Sequence, residues 1–319
     1  MKKVYALVLK DGSSAYFEKE NNHCWFIFEN KNETTYESHS WEIWLSDSKS
    51  ASVVDKDNVT LESVNTIINN GNTKRNIWVE EISEVDSLGE YYPRINKNNL
   101  GFKFEAFTND QYLDEIRSYA NLCKEMDEIF NYINPTPKNN QTFGHKCREL
   151  LILACTEFEY LVLQFLKENN YPAKKRYTTE DYYVAQEVFK LNEYAVQLKM
   201  YPMFGLIAPF YGWDKSQPTK SMRWYDSYNK VKHDRGGNFE ESNLINMIFS
   251  VSAIHIILVA QYGERIFGNS ALHEHKSPFH TKLVPRFKST EIILPNLVMG
   301  VGVQWQKRMA YFDKHPFKS

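Results

Sequence analysis

The sequence predicts a mixed α+β protein in two main parts. A β-rich or α+β N-terminal domain covers residues 1–107, an antiparallel α-helical bundle covers 108–268, and a C-terminal extension covers 269–319. Three observations carry this reading. Short β-branched and aromatic runs, punctuated by turn residues, fill the first hundred positions. Beyond them the apolar period changes to that of a helix. With 42% apolar and 15% aromatic residues the chain can build a packed core, which excludes disorder over its whole length.

In the first part, Val4–Leu9, Cys24–Phe28 and Glu42–Leu45 read as strands, separated by turn signals at Asp11-Gly12 and Asn30–Asn32. Val59–Asn69 reads as a short helix ahead of Asn70-Gly71, and Ile77–Val79 as a further strand. In the second part, Asn109-Asp110 caps a helix that runs to Ile133 and is broken by Asn134-Pro135-Thr136-Pro137. A second helix spans Thr142–Glu168. Its Leu150, Leu151, Ala154, Phe158, Leu161, Val162 and Phe165 recur at helical spacing. A third is expected from Thr178 to Lys199, and Tyr201–Gln217 reads as an ordered loop or broken helix. The stretch WYDSYNKVKHDRGG, Trp224–Gly237, is the fourth, and Glu241–Ile266 the fifth. After Gly268 come a histidine-rich segment, an apolar run at Ile292–Val303 and a basic aromatic tail.

A formal net charge of −2 excludes a basic field over the whole protein, so any grip on a polyanion is local. Cys24, Cys123, Cys147 and Cys155 form no C-x-x-C pair. They read as reduced, mostly buried thiols of a cytoplasmic protein. Asp11-Gly12 closes the first apolar run too early for a secretory leader. Leu244–Ala260 is nearly long enough to span a bilayer but carries Asn246, Ser250, Ser252 and His255. It reads as a buried core helix, and no membrane partner is expected.

On a helical wheel Tyr228 and Val231 fall within about 40° of Trp224, and the three form a core stripe. Tyr225, Asn229, Lys232 and His233 share an adjoining arc, from about 80° to 180°. Asn229 and His233 lie one turn apart. Arg235 returns to the Trp224 side, and Gly236-Gly237 is expected to end the helix through a positive φ. A histidine here can exchange a proton near neutral pH, and Lys232 and Arg235 can hold a phosphate or a developing oxyanion. The same pattern also suits a plain amphipathic helix, whose C-terminal cations complement its dipole.

An Asn followed after three residues by a His, on a late helix of a bundle, resembles the HEPN superfamily of nucleotide-binding helical domains. The resemblance covers about 108–268 and rests on YNKVKH, with Asn229 on the motif's polar position and His233 on its histidine. The motif's arginine position is occupied by Tyr228. The resemblance implies a metal-independent endoribonuclease or toxin-like effector, in an anti-phage setting, needing no cofactor. Its helices would meet across a homodimer, and RNA would be cut through its own 2′-OH. The catalytic set carried over is Asn229, Lys232, His233 and Arg235. Tyr228 keeps a second reading open, in which the bundle binds RNA or dimerises without cleaving.

His273, His275 and His280 could bind a metal, but no carboxylate or cysteine cluster completes a shell, so no metal is expected. His145 and Arg148 open the second long helix. Glu157 and Glu159, set in its apolar run, call for cationic partners such as Lys232 or Arg235. Phosphate-loop, dinucleotide and zinc-protease motifs do not occur. The C-terminal VQWQKRMAYFDKHPFK mixes aromatics with cations and reads as a packed end with a solvated edge.

Overall fold

The computed structural model describes residues 2–30, 33–42, 58–69, 77–97, 110–268, 277–298, 302–305 and 307–316. The chain divides into two compact units with interleaved segments. One comprises Met1–Tyr91, Asn96–Lys103 and Arg286–Arg308; the other Tyr92–Ile95, Phe104–Pro285 and Met309–Ser319. Residues 269–319, expected to form an extension, are thus shared between both units.

The first unit is built on a five-stranded antiparallel sheet. Its strands are β1 (Lys2–Leu9), β2 (Ser14–Glu20), β3 (His23–Asn30), β4 (Glu33–Ser40) and β5 (Val79–Glu84), in the order β4-β3-β2-β1-β5. Alternate residues explain the unbroken apolar run of β1. Tyr5, Leu7 and Leu9 pack with Val64, Ile67 and Ile68 of α1 (Leu61–Asn69). Val4, Ala6 and Val8 face Phe287, Ile292 and Leu294 on the other side. A strand covered on both faces loses the usual alternation of apolar and polar residues. A two-residue strand, β6 (Glu90–Tyr91), pairs with Lys307–Arg308. The expected strand at Glu42–Leu45 is not found at its start, since Trp41 and Glu42 form a helical turn. Residues 43–45 lie outside the described residues.

The second unit is mostly helical: α2 (Asp110–Phe130), α3 (His145–Glu168), α4 (Thr179–Phe189), α5 (Arg223–His233), α6 (Arg235–Asn238) and α7 (Leu244–Tyr262). The expected helix to Lys199 stops at Phe189. Lys190 adopts the left-handed region (φ +54°), and Ala195–Leu198 forms β7, paired antiparallel with β8 (Phe279–Leu283). Burial of Val196 and Leu198, two residues apart, suits a strand better than a continued helix.

Contacts fix the helix directions. Tyr262 donates to Glu115 and Tyr119 faces His255, so α2 and α7 are antiparallel. Gln261 donates to the Leu161 carbonyl, while Phe143 bridges Asn243 just before both helices begin. The α3–α7 pair is therefore parallel, a departure from the expected antiparallel bundle. Helix α7 has a mean hydropathy of 1.9 and is buried within this unit, in agreement with its reading as a core helix.

Candidate functional site

Helix α5 is fixed by its aromatic stripe. Trp224, Tyr228 and Val231 are buried, as the wheel requires. Trp224 packs edge-on to Phe158 at 5.3 Å between ring centroids, and its indole donates to the Pro209 carbonyl at 2.8 Å. Tyr225 departs from the expected polar arc. It is buried and donates to Glu159 at 2.6 Å. Burial, and then the hydrogen bond to Glu159, hold its phenol protonated well above the ordinary tyrosine range.

Of the cations expected near the α3 carboxylates, Lys232 feels the charge of Glu159, though its hydrogen bond goes elsewhere. Glu159 accepts from Tyr225. Burial is the main reason the Glu157 pKa is raised. Lys232 instead lies over the Tyr228 ring, 4.9 Å from its centroid, and donates to the phenol oxygen at 2.7 Å. That hydrogen bond keeps Lys232 charged, with its pKa above the ordinary value. Because the lysine stem folds back along a buried tyrosine, Lys232 serves the helix as much as any ligand.

Asn229 is half-buried and His233 exposed, one turn apart. Neither side chain has a hydrogen-bond partner among the described residues. Arg235 opens α6, but its side chain lies outside the described residues. Of the four expected site residues, Asn229 and His233 are thus open to a ligand, whereas Lys232 is engaged.

The double glycine does not end α5 through a positive φ. Asp234 ends it with φ −137° and ψ 83°, and then caps α6 by accepting from the Gly237 amide at 3.1 Å. A Cβ at position 237 would stand 2.6 Å from Asp234 Oδ2. Glycine admits this close approach, which a Cβ would force the Asp234 carboxylate to give up.

A second tie holds α5 to the chain beyond α6. Ser227 donates to Glu241 at 2.8 Å, and Lys230 reaches Glu241 at 3.2 Å and Asp226 at 3.0 Å. The Ser227 bond, with Lys230, holds the Glu241 carboxyl below the ordinary glutamate range against the opposing effect of burial. A carboxylate with a lowered folded pKa stabilises above its unfolded value, about 4.3, and that stabilisation is lost as pH falls through the folded value. Glu241→Gln is accordingly expected to cost about 1 kcal/mol at pH 7. The difference from wild type should be smaller at pH 3 than at pH 7. Urea unfolding at the two pH values checks this; an equal difference at both would refute it.

His145 and Arg148, at the start of α3, lie beside this helix, a connection that no local pattern in the sequence displays. Tyr225 meets Glu159, and Arg148 reaches the Val231 carbonyl. These contacts run α3 and α5 antiparallel and bring the start of α3 to the end of α5. Phe239, just after α6, contacts the His145 ring at 4.8 Å and the Phe143 ring at 5.6 Å. Aromatic residues flanking an isolated histidine were the missed signal.

Other histidines are disposed differently. His255 is sealed in the core, where burial pushes its pKa down to about 3; it accepts or donates to Ser277 at 2.8 Å and Thr281 at 3.1 Å. His280 is exposed on β8, while His273 and His275 lie outside the described residues. Among the described residues no cluster of three or more His, Cys, Asp or Glu could hold a metal ion. Comparison with protein-family models, curated proteins and solved structures finds no match for the chain.

Proposed function

We propose that the helical unit acts on RNA as a metal-independent endoribonuclease, with His233 as its proton-transfer group. The observation that carries this reading is the ring of His233, exposed at the end of a rigidly packed helix with no internal partner. Asn229, also without a side-chain partner, stands one turn away to orient the ring or a ligand. Neutral His233 takes the proton of a ribose 2′-OH as that oxygen attacks the adjacent phosphorus. The bond to the 5′ oxygen breaks, and that oxygen takes a proton from the equivalent helix of a second copy. The products are a 2′,3′-cyclic phosphate and a 5′-OH. In this reading the protein acts in the cytoplasm as a homodimer, and the HEPN-like pattern supports a toxin-like or anti-phage role, with the N-terminal unit as regulator.

A second reading, binding of RNA or dimerisation without cleavage, is favoured by one observation. Tyr228, at the motif's arginine position, is buried and occupies Lys232. Cleavage of single-stranded RNA in the presence of EDTA separates the two. His233→Ala is expected to lower the rate by about 100-fold or more, since general acid–base catalysis contributes ~10²–10⁴. Its thermal midpoint should be unchanged, because the side chain is exposed. Equal cutting by the variant would overturn the catalytic role. Binding without cutting by the wild type would establish the second reading, and neither binding nor cutting would overturn both.

A further inference from the structure

Arg148 differs from the basic residues around it. Lys146 pairs with Glu149 at 3.1 Å, Lys230 with Asp226 at 3.0 Å, and Lys232 with the Tyr228 phenol at 2.7 Å. Among the described residues Arg148 has no ion pair. Its Nε is enclosed without a hydrogen-bond partner, and its Nη2 makes only a long 3.4 Å contact to the Val231 carbonyl. A guanidinium is costly to leave with donors unmade, and its planar fork matches a phosphate. The Val231 carbonyl lies in the last turn of α5, so this cation sits at the end of the helix that carries His233.

The aromatic cluster lies at the same end of α3. His145 and Arg148 are three residues apart and so share one helix face. Phe143 is 50% exposed and so leaves part of its ring open to a ligand. It is held by backbone bonds from Leu244 to Thr142 at 2.8 Å and from Ile245 to Asn140 at 3.1 Å. Phe239 is fixed on its other side by the Ser242 amide, 3.0 Å from its carbonyl. The half-exposed rings therefore form a supported edge, of the kind on which unpaired bases stack for about 1–3 kcal/mol each.

We propose that Arg148 and the Phe143, His145 and Phe239 rings form a nucleotide subsite at the end of α5 that carries His233, with Arg148 taking a phosphate and the rings an unpaired base. This rests on RNA being the ligand of the His233 face, and it selects single-stranded over double-stranded substrate, whose base faces are covered. Its test uses the full chain and a fluorescent, uncleavable 2′-O-methyl oligoribonucleotide, with affinity read by anisotropy at several salt concentrations. Arg148→Gln is expected to weaken binding about 10-fold and to lower the log–log salt slope by about 0.7, the loss of one phosphate contact. Arg148→Gln should unfold within a few degrees of wild type. Phe239→Ala should weaken binding by a similar factor with the salt slope unchanged; Phe143→Ala, at a half-exposed position, serves if Phe239→Ala does not fold. Wild-type affinity in both the arginine and the phenylalanine variants, alongside normal cleavage by the parent, would overturn the subsite and leave the ribonuclease reading standing. Equal affinity for a duplex would also overturn it. Absence of RNA binding by the parent would overturn the RNA reading itself.

Discussion

Glu115→Ala lowers stability by about 3 kcal/mol, the larger part of the cost of leaving a buried cation without its main partner. Arg94 is buried in the helical unit and clamps Glu115 through both nitrogens, at 2.5 and 3.0 Å. Its Nε reaches Glu168 at 2.6 Å, its Nη1 reaches Gln261 at 2.9 Å, and Tyr262 donates to Glu115 at 2.8 Å. Burial disfavours the charged guanidinium, but the Glu115 hydrogen bond and the surrounding charges outweigh it and raise the pKa. Arg94 also holds a left-handed backbone, φ +57°, at a cost of about 1 kcal/mol. The network thus fixes a short segment in a conformation it would not choose alone. Removal of Glu115 leaves Glu168, which puts the expected loss at the lower end of the ~3–5 kcal/mol range for broken buried pairs. For a unit of this size the thermal midpoint should fall by roughly 6–12 °C. Arg94→Met with Glu115→Leu should restore much of it, because a buried pair replaced by apolar groups is often neutral. A fall of under 2 °C in Glu115→Ala would show that the pair is not buried in solution as described.

Arg94 also marks where sequence reading stops. A lone arginine in a loop has no period, and its partners lie 21, 74 and 167 residues away. Nothing local distinguishes it from a solvated one. Trp224, Tyr228 and Val231 were legible because a helix repeats its buried face every 3.6 residues. Tyr225 was misplaced because the wheel counts polarity but not partners. Glu159, on another helix, makes burial of its hydroxyl possible. The same limit hid β7, where a left-handed Lys190 ends a pattern that still looks helical. It also hid the role of Asp234, since Asp as a cap and Gly-Gly as a stop compete for the same few residues. The N-terminal sheet was read as β-rich from residue type alone, while its strand order rests on pairings no single run encodes. Asn229 and His233 could be placed on one open face from spacing. The approach of Arg148 and Phe239 depends on the antiparallel packing of α3 on α5, which the sequence does not display.

Trp224→Ala is expected to cost about 4 kcal/mol, within the ~3–5 kcal/mol typical of a buried tryptophan truncated to alanine. The ring is 1% exposed and is contacted by Phe158 at 5.3 Å, Tyr225 at 5.7 Å and Phe210 at 6.1 Å. Its loss leaves a cavity between α3, α5 and the 209–213 loop, and strands the Pro209 carbonyl that its indole satisfied at 2.8 Å. Trp224→Phe keeps most of the volume and loses only the donor and part of the ring, so about 2 kcal/mol is expected. Urea unfolding should show lower midpoints with an unchanged slope, the mark of altered stability without altered compactness of the end states. Equal stability of Trp224→Ala and wild type would contradict the packing of α5 outright. The pair of variants also bears on function. His233 is two turns and more along the same helix, so its placement depends on the seating of Trp224 and not on any contact between the two. If His233 acts by position, Trp224→Phe should keep RNA cleavage at temperatures where it is folded, while Trp224→Ala should lose rate in proportion to its helix becoming mobile, in advance of global unfolding. Cleavage that survives in folded Trp224→Ala would assign the reaction to groups outside α5.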